Sequence, residues 1–344
     1  MLKYFTGSFV FTAIGLVASY FVGHYYGGTA QAGIQALFIA TVLAVLEVSL
    51  SFDNAIVNAV ILKEMTPLWR HRFLTWGMII AVFGMRLVFP LAIVAVMAEI
   101  NPWQALMMAA TQPDEYARVM LASHNQVSAF GGMFLLMVAL HYFYDGEKET
   151  HWIKMLEKTS AYLGRKIESI EIALALLILM ALTSRLAEGD QLPYLLAGMG
   201  GLITYVVVDG IGSFLEASDG TMKDMHKASA GMFLYLEVLD ASFSFDGVVG
   251  AFAITHNLFI IMIGLSIGAF FVRSLTIMFV EKEALTEFLY LEHGAFYAIG
   301  ILATIMLTGP FLHIPEWITG MIGAVIIVTS FLWSLRARKL ASKT

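Results

Sequence analysis

Apolar residues in this chain neither alternate nor recur on a single helical stripe. They run unbroken for about 20 positions, stop at short clusters of Gly, Pro or charged residues, and begin again. Runs of that length match a bilayer core of ~30 Å crossed at about 1.5 Å per residue. Ten spans are predicted, near residues 4–23, 33–62, 73–98, 124–144, 170–187, 193–215, 229–254, 258–280, 292–311 and 315–335. Only helices and closed barrels satisfy the backbone in hydrocarbon, and the short alternating strands of a barrel are absent. The expected fold class is therefore all-α, a polytopic transmembrane helical bundle. The second and seventh runs exceed what a membrane requires, which predicts tilt or interruption. The first run follows Met1-Leu2-Lys3 without a small-residue cleavage site and reads as a retained helix.

Charge placement orients the bundle. With the N-terminus inside, 16 of the 20 Lys and Arg residues fall on one side: Lys3, Lys63, Arg70, Arg72, five from Lys148 to Lys166, Lys223, Lys227, Lys282, and four from Arg336 to Lys343. Lys and Arg collect in short cytoplasmic loops, so both termini are predicted cytoplasmic. At 59% hydrophobic and 13% charged, the composition excludes an ordinary soluble domain, and nucleic acid is not an expected partner. The lack of cysteine removes disulfides, thiolate ligands and cysteine nucleophiles, leaving oxygen and imidazole to hold any metal.

Two segments repeat. Glu47-Val-Ser-Leu-Ser-Phe-Asp53-Asn54 matches Asp240-Ala-Ser-Phe-Ser-Phe-Asp246-Gly247 at the acid, Ser, Ser, Phe and Asp positions. In the following span Gly77 precedes Arg86 as Gly264 precedes Arg273, and later His124 precedes Gly131 as His293 precedes Gly300. The chain thus divides into a first repeat, 1–190, with a polar cytoplasmic loop at 145–169, and a second, 191–344. Five spans per half place the copies in opposite orientation, an inverted five-plus-five repeat of the kind that builds secondary transporters with a site near the midplane. The first half carries an extra segment, 101–122, expected to be re-entrant or interfacial.

Glu47, Asp53, Asp240 and Asp246 fall centrally within apolar runs, where each charge costs at least ~2.5 kcal/mol. Arg86 and Arg273, also within spans, offset two of the four, and the two remaining negative charges equal the charge of one divalent cation. Within each motif the acids lie ~120° apart around a regular helix and about 9 Å apart along it, so an unbroken helix cannot present both to one small ion. Either the helix is interrupted at the Ser-rich motif, or the opposite helix completes the shell. Asn54, Asn58 and the hydroxyls of Ser49, Ser51, Ser242 and Ser244 extend a hard-oxygen set suited to Mn(II), Ca(II) or Mg(II) rather than copper or zinc. Crowded carboxylates take up protons when such an ion leaves, which points to proton antiport. The structural alternative pairs Asp53 with one Arg and Asp246 with the other, but the acids outnumber the bases. Asp209 stands in the sixth span, lining the same cavity or the inner interface. Glu237 lies one turn before Asp240, as a further ligand or a packing residue, and His124 and His293 sit at span ends, where imidazole is ordinarily hydrated.

The doubled acid-x-Ser-x-Ser-Phe-Asp motif, with an Arg in each following helix, resembles the TerC family of bacterial membrane proteins, in particular its longer branch with Leu291-Glu292-His293-Gly294. The resemblance covers roughly residues 33–311. It implies membership of a cation-exporter superfamily, residence in the bacterial inner membrane, and manganese efflux as the activity. It also implies ion-binding positions at Glu47, Asp53, Asn54, Asp240 and Asp246, while Arg86, Arg273, Asn58, Ser51, Ser244 and Asp209 are the supporting residues expected from the constellation itself. The expected function is export of a hard divalent cation, with the bilayer and the ion as partners, protein partners left open and no cofactor. No His-Glu-x-x-His, Ser-His or Ser-Lys pair accompanies the motif, so an enzyme is not expected. The alternative is a membrane assembly or metalation factor that uses 145–169 as its docking surface.

Overall fold

A computed structural model describes residues 2–148, 150–167, 169–216, 222–282, 288–312 and 314–341. Within these, the side chains of residues 2, 212–216, 222–227, 245, 246, 316, 317, 340 and 341 lie outside the description. The described chain is helical and contains no strand. In order come α1 (Leu2–Gly27), α2 (Ala30–Leu50), α3 (Phe52–Glu64), α4 (Pro67–Arg72), two π-helical segments (Phe73–Gly77 and Ile80–Val88), α5 (Phe89–Met97), α6 (Pro102–Thr111) and α7 (Pro113–Ala122). They continue with α8 (His124–Tyr144), α9 (Lys154–Lys166), α10 (Ile170–Thr183), α11 (Glu188–Glu216), α12 (Met222–Ile254), α13 (Leu258–Glu281), α14 (Leu291–Thr308) and α15 (Glu316–Ala341).

Among the described residues, eight helical runs are long and apolar enough to cross a membrane, and each answers to one of the ten expected spans. This is a multi-pass membrane protein. Of the other two expected spans, α10 is apolar but has 14 residues, and α12 extends over 33 and carries the second motif. Phe9, Ile14, Val17 and Phe21 on α1, and Met321, Val325, Val328 and Leu332 on α15, stand exposed at helical spacing, as lipid-facing stripes do. In contrast, α8 is buried on every side from Gly131 to Ala139, between α14, α11 and α12.

The central packing reads the same with the halves exchanged. α8 pairs with its counterpart α14, α3 meets α14 as α12 meets α8, and α1 lies on α2 as α11 lies on α12. The periphery departs from this symmetry, since α1 also packs on α13 while α11 packs on α8. Close approach at the centre depends on missing side chains: a Cβ at Gly268 would stand 2.4 Å from that of Glu47.

The extra segment of the first half forms two short helices, α6 packed on α5 and α7 packed on the end of α12. Pro102 and Pro113 open them, and Asn101 with Gln104 makes a reciprocal cap. Tyr116 is fully buried against Phe252, and Asp114 Oδ1 lies 2.7 Å from His256 Nδ1.

The polar segment 145–169 is more than a loop. It contains α9, and Glu157 on that helix is 2% exposed. Its carboxylate accepts the backbone N–H groups of Trp152 (3.2 Å) and Ile153 (3.0 Å) and the Tyr297 hydroxyl (3.1 Å). His293 Nε2, His151 Nδ1 and Lys148 Nζ stand 3.4, 3.6 and 3.7 Å away. His293, expected to be hydrated, is instead buried, with Nε2 2.9 Å from the Thr150 carbonyl, because the connector folds down over the first turn of α14. Lys148 Nζ lies 3.4 Å from the centre of the Tyr142 ring. Burial there brings its pKa down to about 8, against the opposing pull of Glu157 and Glu292.

Candidate functional site

The first motif breaks its helix. α2 ends at Leu50, Ser51 leaves helical geometry at φ −104° and ψ 17°, and α3 begins at Phe52. The second motif sits within the continuous α12. Of the two arrangements the spacing of the acids left open, interruption therefore holds for the first copy alone. At the break, Glu47 occupies the last turn of α2, where the carbonyl end of the helix dipole favours a cation, and Asp53 occupies the first turn of α3, where free N–H groups favour an anion. The Asp53 carboxylate turns back to accept its neighbour's N–H, from Asn54, at 2.9 Å.

The motif copies cross antiparallel. Asn54 donates from Nδ2 to Asp240 Oδ1 at 2.7 Å, and a Cβ at Gly247 would stand 3.3 Å from Glu47 Oε2. Since Asn54 corresponds to Gly247 and Glu47 to Asp240, these are one contact seen from the two halves. The arginines behave differently. Arg86 forms a buried ion pair with Glu47 and also reaches the Ala81 carbonyl, whereas Arg273 donates from Nε to the Leu74 carbonyl at 2.7 Å. The structural pairing weighed for the sequence, Asp53 with an arginine, does not form among the described residues. Pro90 explains the π-helical turn that carries Arg86: it has no N–H to donate, and its ring crowds the Arg86 carbonyl, which the wider winding relieves.

Two small cavities lie on either side of the break. The first, about 40 Å³, is lined by Glu47, Ser51, Asn54, Asn58, Glu237, Asp240, Arg86 and Arg273 among others. Phe73, Leu74 and Thr276 place it toward the end of the bundle that bears Lys63, Arg70, Arg72 and Lys282. The second, about 30 Å³, is lined by Glu47, Ser49, Ser51 and Asp53, with Gly247, Ile301, Leu302 and Thr319 toward the opposite end. Each has room for a small ion or a water or two. Glu47 and Ser51 border both.

Oxygen atoms around the first cavity are incompletely satisfied. Asn54 Oδ1, Asn58 Oδ1 and Glu237 Oε1 are buried and have no hydrogen-bond partner among the described residues. Buried polar atoms are nearly always paired, so three such acceptors on one cavity mark a place prepared for a donor or a cation. Among the described residues no three His, Asp or Glu side chains converge closely enough to hold a metal by themselves. A cation here would draw on the amide oxygens as well.

The sequence-derived set is thus partly gathered. Glu47, Asn54, Asn58, Ser51 and Asp240 share the first cavity with both arginines. Asp53 does not join them: it lies in the first turn of α3, accepts the Asn54 N–H and faces the second cavity. Ser244 is buried with its hydroxyl unpaired among the described residues, and it borders neither cavity. Asp209 also borders neither, standing half-buried on α11. The Asp246 side chain lies outside the described residues. Glu237 takes a larger part than its sequence rank suggested, and the signal was present, an acid one turn from Asp240 in an apolar run.

No curated protein and no solved structure matches the chain. The family model of DUF475, described as a protein of unknown function, matches residues 52–341, from the start of α3 to the end of α15. It therefore takes in every residue of the site except those of α2 and Ser51, and the chain belongs to the DUF475 family.

Proposed function

We propose that this protein is a secondary transporter that exports a hard divalent cation, Mn(II) in preference to Ca(II) or Mg(II), across the bacterial cytoplasmic membrane, with both termini inside. The observation that carries this reading is the position of Glu47 and Ser51 on the partition between two cavities that approach the break from opposite ends of the bundle. An ion passing between them meets Glu47, whose pairing with Arg86 holds the partition closed when no cation is present. The unpaired oxygens of Asn54, Asn58 and Glu237, with Asp240, supply hard ligands on the basic side, and Asp53 receives the ion on the other. Crossed motif copies make the partition a joint product of both halves, the arrangement on which alternating access relies. The TerC resemblance favours the same ion and direction. Return of protons through the vacated carboxylates is the proposed coupling.

Reconstituted into liposomes, the protein is expected to move Mn(II) and to move protons the opposite way. Asp240→Asn and Asp53→Asn should each abolish the flux, one from either side of the partition. Equal Mn(II) flux in wild type and both variants would remove the proposal.

A further inference from the structure

The connector helix α9 presents three separate faces. At about 100° per residue, Glu157, Ala161 and Gly164 fall on the face turned to the bundle. Glu157 and Ala161 are buried there, and a Cβ at Gly164 would stand 1.9 Å from the Tyr144 carbonyl. Lys154, Lys158 and Arg165 fall within about 40° of one another along one border of that face. Beyond them, Tyr162, Met155, Leu163 and Leu156 share an arc of about 120° with Thr159 and Lys166. Met155 is 84% exposed, and Leu156 and Tyr162 are 58% and 60% exposed. Lys166, also exposed, extends over the Tyr162 ring.

The depth of this helix is fixed. Its Gly164 rests on the backbone of the last residue of α8, and apolar α10 begins at Ile170, so α9 is held level with the ends of membrane-crossing helices. Residues at that level meet phospholipid headgroups. Exposed apolar side chains flanked on one border by Lys154, Lys158 and Arg165, with Lys166 among them and the one acid of the helix turned inward, match an anionic headgroup layer above an acyl boundary. We propose that α9 is an interfacial helix that binds anionic phospholipid, its lysines on the phosphates and Met155, Leu156 and Tyr162 in the boundary beneath them. The Glu157 knot ties this helix to His293 and Tyr297 of α14, whose later turns line the second cavity. The inference stands apart from the transport proposal, since it needs only the membrane location.

The chain has no cysteine, so Met155→Cys gives a single site for an environment-sensitive fluorophore on the full-length protein. The labelled protein is placed in nanodiscs of phosphatidylcholine alone or with phosphatidylglycerol, each carrying a shallow nitroxide lipid. Expected is stronger nitroxide quenching, and weaker quenching by aqueous iodide, in the anionic discs. The preference should fall about fivefold for each of Lys154, Lys158 and Lys166 changed to Gln. Quenching alike in the two lipids, or unchanged in the triple Gln variant, overturns headgroup binding. A label equally open to iodide in both discs overturns it too. A thermal melt of each variant separates loss of binding from loss of fold.

Discussion

Glu157 and Glu237 are both acids withdrawn from solvent, at 2% and 8% exposure, and they have opposite surroundings. Glu157 is saturated: two backbone N–H groups and a hydroxyl donate to it, and three basic nitrogens stand within 4 Å. Glu237 has an unpaired oxygen, a second acid one turn away, and a cavity in front of it. Burial therefore does not separate a structural carboxylate from a functional one. The distinction lies in whether the folded chain completes the hydrogen bonding of the group or leaves part of it for something else.

The same substitution at both positions is the strongest way to break that comparison. Glu157→Gln keeps the volume but points an N–H₂ group at N–H donors and leaves Lys148 without its buried counter-charge. A loss of about 3 kcal/mol in folding stability is expected, read as a lowered melting temperature in detergent. Stability falling by less than about 1 kcal/mol would show that the knot is not the fastening its geometry describes. Glu237→Gln should leave the melting temperature of the ion-free protein unchanged or higher, because it replaces a carboxyl whose oxygen the folded chain leaves unpaired in a poorly solvated place. Its effect appears in ion binding instead. Mn(II) affinity by calorimetry is expected to fall about tenfold, the equivalent of about 1.4 kcal/mol. A destabilised Glu237→Gln variant with normal Mn(II) affinity would reverse the roles assigned to the two acids.

Much of this was legible in the sequence, for physical reasons that particular residues make plain. The spans are visible because lipid demands unbroken apolar runs, and the crossing of the copies is visible because Glu47, Asn54, Asp240 and Gly247 repeat in register. Six-residue spacing showed that a regular helix fails the acids, but not which copy would break. Ser51 bends and its counterpart Ser244 does not, though both sit in the same Ser-Phe-Asp context. Asp53 was grouped with the other acids because the sequence cannot show that a break places it in the first turn of a new helix, bonded to that helix's own N–H. Glu157 carried no signal at all. An acid among Lys and Ser residues reads as solvated, and only the packing of α9 against α8, with Tyr297 and His293 of α14 reaching its carboxylate, withdraws it from water.

A smaller effect tests how tightly the saturated cluster is closed. Lys148, held over Tyr142 and facing Glu157 and Glu292, with Asp145 beside it on the connector and His151 and His293 across the cluster, has its pKa lowered to about 8 from an ordinary 10.5. Between those values a released connector holds a proton on Lys148 that the docked one has lost. Docking therefore strengthens as pH rises through this window, by at most about 1.4 kcal/mol per unit, and Lys148 contributes no pH dependence well below pH 8. Cleavage of the connector by a broad-specificity protease, scaled to an unstructured reference peptide, should slow from pH 8 to pH 9 in wild type. It should be flat over that interval in Lys148→Met, where no proton is exchanged. A slope that survives in Lys148→Met would assign the proton to another group, and protection that weakens with pH would mean that water reaches Lys148 in the docked state. The cluster would then be open like the cavity beside Glu237, and the contrast between the two acids would lose its physical basis.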